Sequence, residues 1–141
     1  MTAGTEQAAE RSRLRPSGVD AVPQLVETYH LARAYEDRAA ALMCATRFAR
    51  ESEPAFQLGL HALGDRSKRV RYRACALLAY SLRRDAVARL EPLLDHPDRD
   101  TREDALAALA AICAQNHHLF MDRDRSDLVF WIVDVGDIPY A

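Results

Sequence analysis

The apolar residues between positions 23 and 115 recur every three or four residues, which places them on one side of an α-helix. Polar and helix-breaking residues interrupt this pattern and divide the stretch into separate helices. The clearest helix spans about residues 68–82, where Val70, Ala74, Leu77 and Leu78 form one apolar stripe. The pattern predicts six amphipathic helices. The first begins at about Pro23, and the other five span about residues 38–50, 54–63, 68–82, 85–94 and 101–115.

Capping residues support several of these boundaries. Gly64 follows the third helix as a terminator, and Ser67 is placed to cap the fourth helix. Asp100 and Glu103 have capping-box spacing at the start of the sixth helix. These signals predict short helices that are separated by tight turns.

The helices occur in pairs, and the pairs repeat. The second helix of each pair opens with an Arg-x-x-Ala motif, at Arg38, Arg71 and Arg102. These arginines are 33 and 31 residues apart, a spacing typical of solenoid proteins. Two of the motifs share a Leu-x-x-Leu-x-Asp lead-in that ends at Asp65 and at Asp95. Because one helix pair cannot bury its own apolar face, the repeat predicts an all-α fold, a short α-solenoid of about three stacked helix pairs.

The lead-in followed by Val-Arg-x-x-Ala-x-x-x-Leu is similar to the HEAT repeat, and residues 65–78 are the best copy. The resemblance covers roughly residues 24–115 and implies a HEAT-like (armadillo-like) solenoid that binds proteins. In that family, an aspartate in the turn and the arginine of the second helix form a ladder between neighbouring repeats. The resemblance therefore implies ladder roles for Asp65, Arg71, Asp95 and Arg102. The first copy, around Arg38, departs from the family pattern because its turn has no clear aspartate.

The two ends of the chain differ from this helical region. Residues 1–20 are polar and contain almost nothing apolar to bury, which predicts a flexible leader before a helical domain at 21–141. Near the other end, residues 128–133 are all apolar and mostly β-branched or aromatic, which favours a strand. Residues 118–121 are the candidate partner strand, with a turn between the two. The sequence thus predicts that residues 116–141 form a β-hairpin that caps the end of the stack.

The segment from Asn116 to Asp127, with the Val-Phe-Trp that follows it, also resembles the tail of small bacterial HEAT-like immunity proteins. Such proteins bind and occlude a cognate toxin. The resemblance implies a bacterial protein whose partner is another protein, with a toxin as the candidate.

Composition narrows the possible settings of the protein. The chain has 141 residues, a formal net charge of −2 and a pI near 6.2, so it has no overall bias toward nucleic acid or acidic membranes. No apolar run reaches the roughly 18 residues of a membrane-spanning helix, and the N-terminal residues do not resemble a secretion signal. A soluble, cytoplasmic protein without a membrane partner is predicted.

Charge is unevenly distributed along the helical region. Residues 66–89 contain eight lysines and arginines against one acid, and the stretch that follows is mainly acidic. This pattern fits either a solvated helix face with pairing between repeats, or a basic patch that binds an acidic protein. For the second alternative, the predicted contacts are Arg69, Arg73, Asn116, His117, Asp122, Arg123 and Asp124. Nucleic-acid binding is the weaker alternative, because few aromatic residues lie near the arginines for base stacking.

No pattern in the sequence predicts catalysis, a metal site or a cofactor. The sequence has no Gly-x-Ser-x-Gly elbow, no phosphate-binding glycine loop and no Cys-x-x-Cys pair. The run from Asp122 to Asp127 lacks the glycine and the glutamate of a calcium loop, and the adjacent His117 and His118 point in different directions. Small buried side chains are expected of the three cysteines, Cys44, Cys75 and Cys113. The alternative is a small HEAT-like enzyme or cofactor-handling protein akin to bilin lyases, which would show a concave pocket with converging polar side chains.

Overall fold

The structure, a computed structural model, describes residues 18–139 of the chain. Within this range the regular structure is entirely helical, and the helices follow one another as three pairs. The α-helices are α1 (Val22–Leu31), α2 (Tyr35–Thr46), α3 (Glu53–Ala62), α4 (Lys68–Ser81), α5 (Val87–Leu90) and α6 (Arg99–Ala114). Short 3₁₀ helices cover Gly18–Ala21, Arg84–Ala86, Glu91–Asp95, His117–Phe120 and Val135–Asp137.

The helices lie close to their predicted positions, but several boundaries differ. α2 begins at Tyr35 and ends at Thr46, earlier at both ends than the pattern predicted. The fifth predicted helix is divided into a 3₁₀ turn, the short α5 and a second 3₁₀ helix that contains Pro92. Proline has no N–H to donate, so the chain tightens there instead of continuing the α-helix. Most of the predicted leader, residues 1–17, lies outside the described residues, and its last part enters the 3₁₀ helix Gly18–Ala21.

Side-chain caps fix the starts of three helices. The hydroxyl of Ser52 accepts a hydrogen bond from the Ala55 N–H at the start of α3, and Ser67 caps α4 in the same way. At α6 the cap is Asp98, whose carboxylate accepts from the Thr101 N–H at 2.9 Å. The predicted capping box at Asp100 is therefore wrong, because α6 begins earlier than the pattern indicated.

The second helices of the three pairs form one layer, in which α4 packs between α2 and α6. α1 packs on α2, and α3 packs on both α4 and α1. The core contains Leu42, Phe56, Leu78 and Ile112, each at most 1% exposed. Burial of an apolar side chain of this size stabilises a fold by about 1.5–3 kcal/mol. α3 approaches α4 so closely that a Cβ on Gly59 would lie 2.6 Å from a Leu77 methyl carbon.

The predicted C-terminal hairpin is wrong, because residues 18–139 contain no strand. The proposed partner strand instead forms the 3₁₀ helix His117–Phe120, which Asn116 caps by accepting a hydrogen bond from the His118 N–H. Leu119 and Phe120 are buried as a result. Residues 128–132 run without a turn or bend, but a strand needs a hydrogen-bonded neighbour and the tail supplies none.

Aromatic packing and side-chain hydrogen bonds hold the tail in place of a β-ladder. The Trp131 ring packs against Phe120 and Tyr80, with ring centroids 5.5 and 5.7 Å away. The backbone N–H of Trp131 donates to Nδ1 of His118 at 2.8 Å. The backbone carbonyl of Trp131 contacts Nε2 of His117 at 2.9 Å. Farther along, Asp137 accepts from the Tyr80 hydroxyl at 2.9 Å. The tail therefore packs on α4 and α6 through side chains and not through a β-ladder.

Candidate partner-binding surfaces

The three repeat arginines make the same contact within their own helix pairs. Each donates from Nη1 to the carbonyl six residues earlier, in the turn before its helix. The donor–acceptor distances are 3.3 Å for Arg38, 2.8 Å for Arg71 and 2.7 Å for Arg102. The Arg-x-x-Ala motif thus fixes the turn between the two helices of every pair.

Arg38 also reaches the next helix pair. Its Nε and Nη2 donate to the two carboxylate oxygens of Asp65 at 2.9 and 3.0 Å. The Tyr29 hydroxyl and the Ser67 N–H donate to the same carboxylate. Burial alone would raise the pKa of Asp65, but these hydrogen bonds and the Arg38 charge lower it to about 2. Burial and the contact with Asp65 in turn raise the pKa of Tyr29, so its phenol stays protonated.

Arg71 makes the second link between pairs, and its acidic partner is Asp98. Its Nε donates to the Thr101 hydroxyl at 2.9 Å, and its Nη2 lies 3.8 Å from the Asp98 carboxylate. Asp95, to which the resemblance gave this role, is exposed and makes no side-chain hydrogen bond within residues 18–139. Asp98 takes its place because it caps α6 and so faces α4. A signal existed in the sequence: Asp98 follows Arg71 by 27 positions, as Asp65 follows Arg38.

The positive stretch 66–89 divides into paired and unpaired side chains. Arg83 forms ion pairs with Glu53 and Asp85, Lys68 pairs with Asp100, and Arg71 is buried in the ladder. Both predicted contact arginines of α4 lack an ion pair with any residue in the described range 18–139. Part of the charge run therefore serves the fold, and part of it faces solvent.

Each of these two arginines lies over an aromatic ring. The guanidinium carbon of Arg69, which is exposed, is 5.7 Å from the centre of the Tyr35 ring. That of Arg73, which is half-buried, is 5.4 Å from the centre of the Tyr72 ring. Such contacts orient a guanidinium while its N–H groups remain free to donate. Sequence reasoning missed the role of Tyr72, although it stands between Arg71 and Arg73.

The predicted tail contacts separate into exposed and buried residues. Asn116 and Asp124 are exposed, and Arg123 pairs with Asp104 at 3.0 Å. His117 and Asp122 are 7% and 4% exposed, so they offer a partner little surface, and their contact with one stays a prediction.

The two buried residues hold the tail together. His117 lies between Trp131 and Arg50. Nη2 of Arg50 contacts Nδ1 of His117 at 3.1 Å. Burial lowers the pKa of His117. Asp122 folds the following turn by accepting from the Ser126 and Asp127 N–H groups at 3.0 and 2.9 Å. Both are therefore structural residues of the tail.

The structure joins the α4 arginines to the start of the tail. The Tyr72 ring contacts the Phe120 ring at 5.6 Å, and the Tyr72 hydroxyl lies 3.7 Å from the Met121 sulfur. Arg123 lies over the other aromatic residue of this contact, with its guanidinium carbon 4.9 Å from the Phe120 ring centre. We call the surface formed by Arg69, Arg73, Arg123, Tyr35 and Tyr72 the arginine surface.

A cleft of about 700 Å³ lies at the N-terminal end of the stack. Its lining includes Tyr29, His30, Arg33, His61 and Arg66, and the two histidine rings are 5.1 Å apart. Within residues 18–139 no three histidine, cysteine or acidic side chains are grouped so as to hold a metal ion. The one carboxylate in the lining, that of Asp65, is engaged by its arginine and tyrosine partners. The cleft therefore offers hydrogen-bond donors and aromatic edges, but no carboxylate free to act as a base.

The cysteines differ in accessibility. Cys75 is buried, and burial raises the pKa of its thiol. Cys44 and Cys113 are exposed, which corrects the expectation that all three are core residues.

A family model for HEAT repeats matches residues 55–117. Residues 55–117 are therefore similar to HEAT repeats. The match spans the pairs α3–α4 and α5–α6, and HEAT repeats generally mediate protein–protein interactions. A search of curated proteins gave no match to the chain. In the described part of the chain, no helix has the length and apolar character needed to cross a membrane.

The pair α1–α2 lies before the matched HEAT repeats but shares their geometry. Its Arg38 contacts the preceding turn as Arg71 and Arg102 do, and it binds an acid of the following pair as Arg71 does. The three pairs therefore form one continuous stack of HEAT-like units.

Proposed function

We propose that this chain is a non-catalytic protein-binding module whose arginine surface contacts an acidic surface of another protein. The observation that carries the proposal is the pair Arg69 and Arg73, which are oriented by aromatic rings and lack an ion pair within residues 18–139. An oriented guanidinium loses little conformational freedom when it binds a carboxylate, and it makes two parallel hydrogen bonds to it. Complementary charge also speeds the encounter and discriminates among partners.

The tail extends this surface and supports a more specific role. Asn116 and Asp124 are exposed on a segment that Trp131 packs against α4 and that hydrogen bonds of His117 and Asp122 hold together. A rigid tail beside a charged surface suits tight occlusion of one partner, since little ordering is needed on binding. With the resemblance of the tail to immunity proteins, this supports a bacterial, cytoplasmic immunity protein whose partner is a toxin.

A small-molecule function is the alternative that one observation favours. The cleft lined by His30 and His61 is large enough for a ligand, as an enzyme or cofactor-handling protein would require. The one carboxylate of its lining, that of Asp65, is committed to Arg38 and Tyr29, which is why protein binding is the better-supported proposal.

Affinity capture with a charge-reversed variant tests the proposal. Wild-type protein and Arg69→Glu/Arg73→Glu would be used to capture proteins from the native host, and the affinity of any partner measured at two salt concentrations. We expect a protein partner near equal stoichiometry whose affinity falls at least tenfold in the variant. Circular dichroism should show the same helix content and melting behaviour.

Arg84→Glu/Arg89→Glu is the matched control, because it makes the same change of charge at two exposed arginines of the third pair. Equal loss of affinity in both variants would indicate a long-range effect of net charge and contradict a contact at the arginine surface. A bound small molecule with no protein partner would favour the alternative. A nucleic-acid partner would reveal itself by a steep loss of affinity with salt.

A further inference from the structure

The second helices of the three pairs, α2, α4 and α6, share four equivalent positions. The repeat spacing aligns Arg38, Leu42, Ala45 and Ala49 with Arg71, Cys75, Leu78 and Leu82, and with Arg102, Leu106, Leu109 and Cys113. In the first set the arginine is 7% exposed and the other three residues are 0% exposed. In the second set Arg71 is 8% exposed, Cys75 and Leu78 are 0% exposed, and Leu82 is half-buried. Neighbouring second helices pack on one another, α2 on α4 and α4 on α6, and α3 also packs on α4 at Leu78.

The third set has no such cover among residues 18–139. Leu106 is 60% exposed, Leu109 is half-buried and Cys113 is exposed. The described tail borders this stripe at Leu106, in a pocket that Arg123 and Arg125 also line, but it leaves Leu106 60% exposed. The last repeat of a solenoid requires a polar outer face to remain soluble on its own. The two leucines instead give α6 an apolar outer face, which is suited to packing against another helix pair.

Arg102 specifies what that molecule carries. Its Nη1 donates to the carbonyls of His96 and Pro97, in the manner of the other two repeat arginines. In Arg38, Nε and Nη2 both donate to Asp65 of the following pair. In Arg71, Nε donates to Thr101 of the following pair and Nη2 lies 3.8 Å from Asp98. In Arg102 these atoms have no acceptor within residues 18–139. These two donors are suited to a carboxylate, as those of Arg38 are to Asp65.

We infer that the outer face of α6, formed by Arg102, Leu106, Leu109 and Cys113, docks a helix pair of a partner protein. The partner places a carboxylate on Arg102 and apolar side chains on the two leucines, so that it continues the stack as a fourth unit. The inference rests on the proposed protein-binding function, but it uses a surface other than the arginine surface.

The partner is a different protein and not a second copy of this chain. If two copies stacked head to tail, the turn between α1 and α2 of one copy would face Arg102 of the other. That turn is Ala32–Arg33–Ala34, which has an arginine and no acid. Two arginines would then oppose each other where the ladder requires opposite charges.

Cross-linking from Cys113 tests the inference on the full chain. In a Cys44→Ser variant, a benzophenone maleimide would label Cys113, because Cys75 is fully buried. This labelled chain is the probe, and it would be irradiated in an extract of the native host. The control is Cys113→Ser labelled at Cys44, which lies on α2. We expect the probe on Cys113 to form an adduct with one protein. The cross-linked peptide of that protein should lie on a helix with a neighbouring Asp or Glu. The probe on Cys44 should not cross-link the same peptide.

Charge exchange then separates docking from mere proximity. Arg102→Glu should reduce the adduct at least tenfold, and replacing the partner's acid with arginine should restore it. Since Arg102 also holds its own turn, Leu106→Glu provides a second variant at a side chain that is already 60% exposed, and it should reduce the adduct equally.

The outcomes distinguish this inference from the broader proposal. An adduct between two copies of the chain would overturn it in favour of self-association. A partner that binds normally to Arg102→Glu and Leu106→Glu but is lost with Arg69→Glu/Arg73→Glu would overturn it and leave the proposed function intact. If wild-type protein binds no protein at all, both fall together.

Discussion

Arg38 and Asp65 form a bidentate ion pair between the first two helix pairs, with side chains only 8% and 7% exposed. The pair joins α2 to the turn before α4, and Tyr29 of α1 donates to the same carboxylate. Three helices therefore depend on one acid. The stability of the N-terminal half of the stack is correspondingly sensitive to Asp65.

Replacing Asp65 with alanine should destabilise the protein by about 3–5 kcal/mol, because it leaves the Arg38 charge buried without its partner. Urea denaturation followed by circular dichroism would measure the change. Asp124→Ala, at an exposed acid of the tail, should change stability by less than about 0.5 kcal/mol. An Asp65→Ala protein as stable as this control would show that the ion pair contributes nothing net.

The same acid predicts a dependence on pH. The pKa of Asp65 is about 2 in the folded protein and near 3.8 when unperturbed. A carboxyl group with a lowered folded pKa contributes stability that is complete above the unfolded pKa and is lost as pH falls through the folded value. The stability advantage of wild type over Asp65→Asn should therefore shrink by about 2 kcal/mol between pH 5 and pH 2. An advantage that is constant over this window would contradict the assigned pKa.

Asp98 and Asp95 provide a test of the ladder register. Asp98→Ala removes both the cap of α6 and the carboxylate near Arg71, and should cost about 1–2 kcal/mol. Asp95→Ala, three positions away on an exposed turn, should cost less than about 0.5 kcal/mol. Thermal melts of the two single variants would suffice. Similar costs for both would indicate that Asp95 shares the ladder role.

Trp131 should determine whether the tail stays docked. Trp131→Ala removes the ring that packs on Phe120 and Tyr80, at a cost of about 2–3 kcal/mol for a partly buried aromatic residue. Trypsin should then cleave after Arg123 and Arg125 much faster than in wild type. Phe130→Ala is the matched control, since that ring is 45% exposed. Unchanged cleavage in Trp131→Ala would mean that the side-chain hydrogen bonds suffice without the ring.

The helices were predictable because their signals are local. The apolar stripe at Val70, Ala74 and Leu77 and the cap at Ser67 each depend on a few neighbouring residues, and both agree with α4. The repeat motif marked Arg38, Arg71 and Arg102, which contact their preceding turns, but it did not indicate that Arg38 would join the link to the next pair. The choice between Asp95 and Asp98 was harder, since both lie in one turn and only the true start of α6 decides which one faces α4.

The tail was not predictable in the same way. A run such as residues 128–133 has the composition of a strand, yet a strand exists only if another segment pairs with it. Here residues 117–120, which were predicted to be the partner strand, form a 3₁₀ helix that Asn116 caps. The hydrogen bonds to the Trp131 backbone come from the side chains of His117 and His118. The burial of His117 and Asp122 follows from this docking, so it could not be derived from local pattern. Their type alone, polar and titratable, suggested a surface role.

The anchoring of Trp131 also sets an order of events during folding. The groups that hold the tail come from distant parts of the chain, with Arg50 and Tyr80 lying 67 and 57 residues before their partners His117 and Asp137. Such long loops are slow to close, so the tail can dock only after α2 and α4 have stacked. Trp131 is the single tryptophan of the sequence. The intrinsic fluorescence of this protein therefore reports the final folding step separately from the helix formation that precedes it.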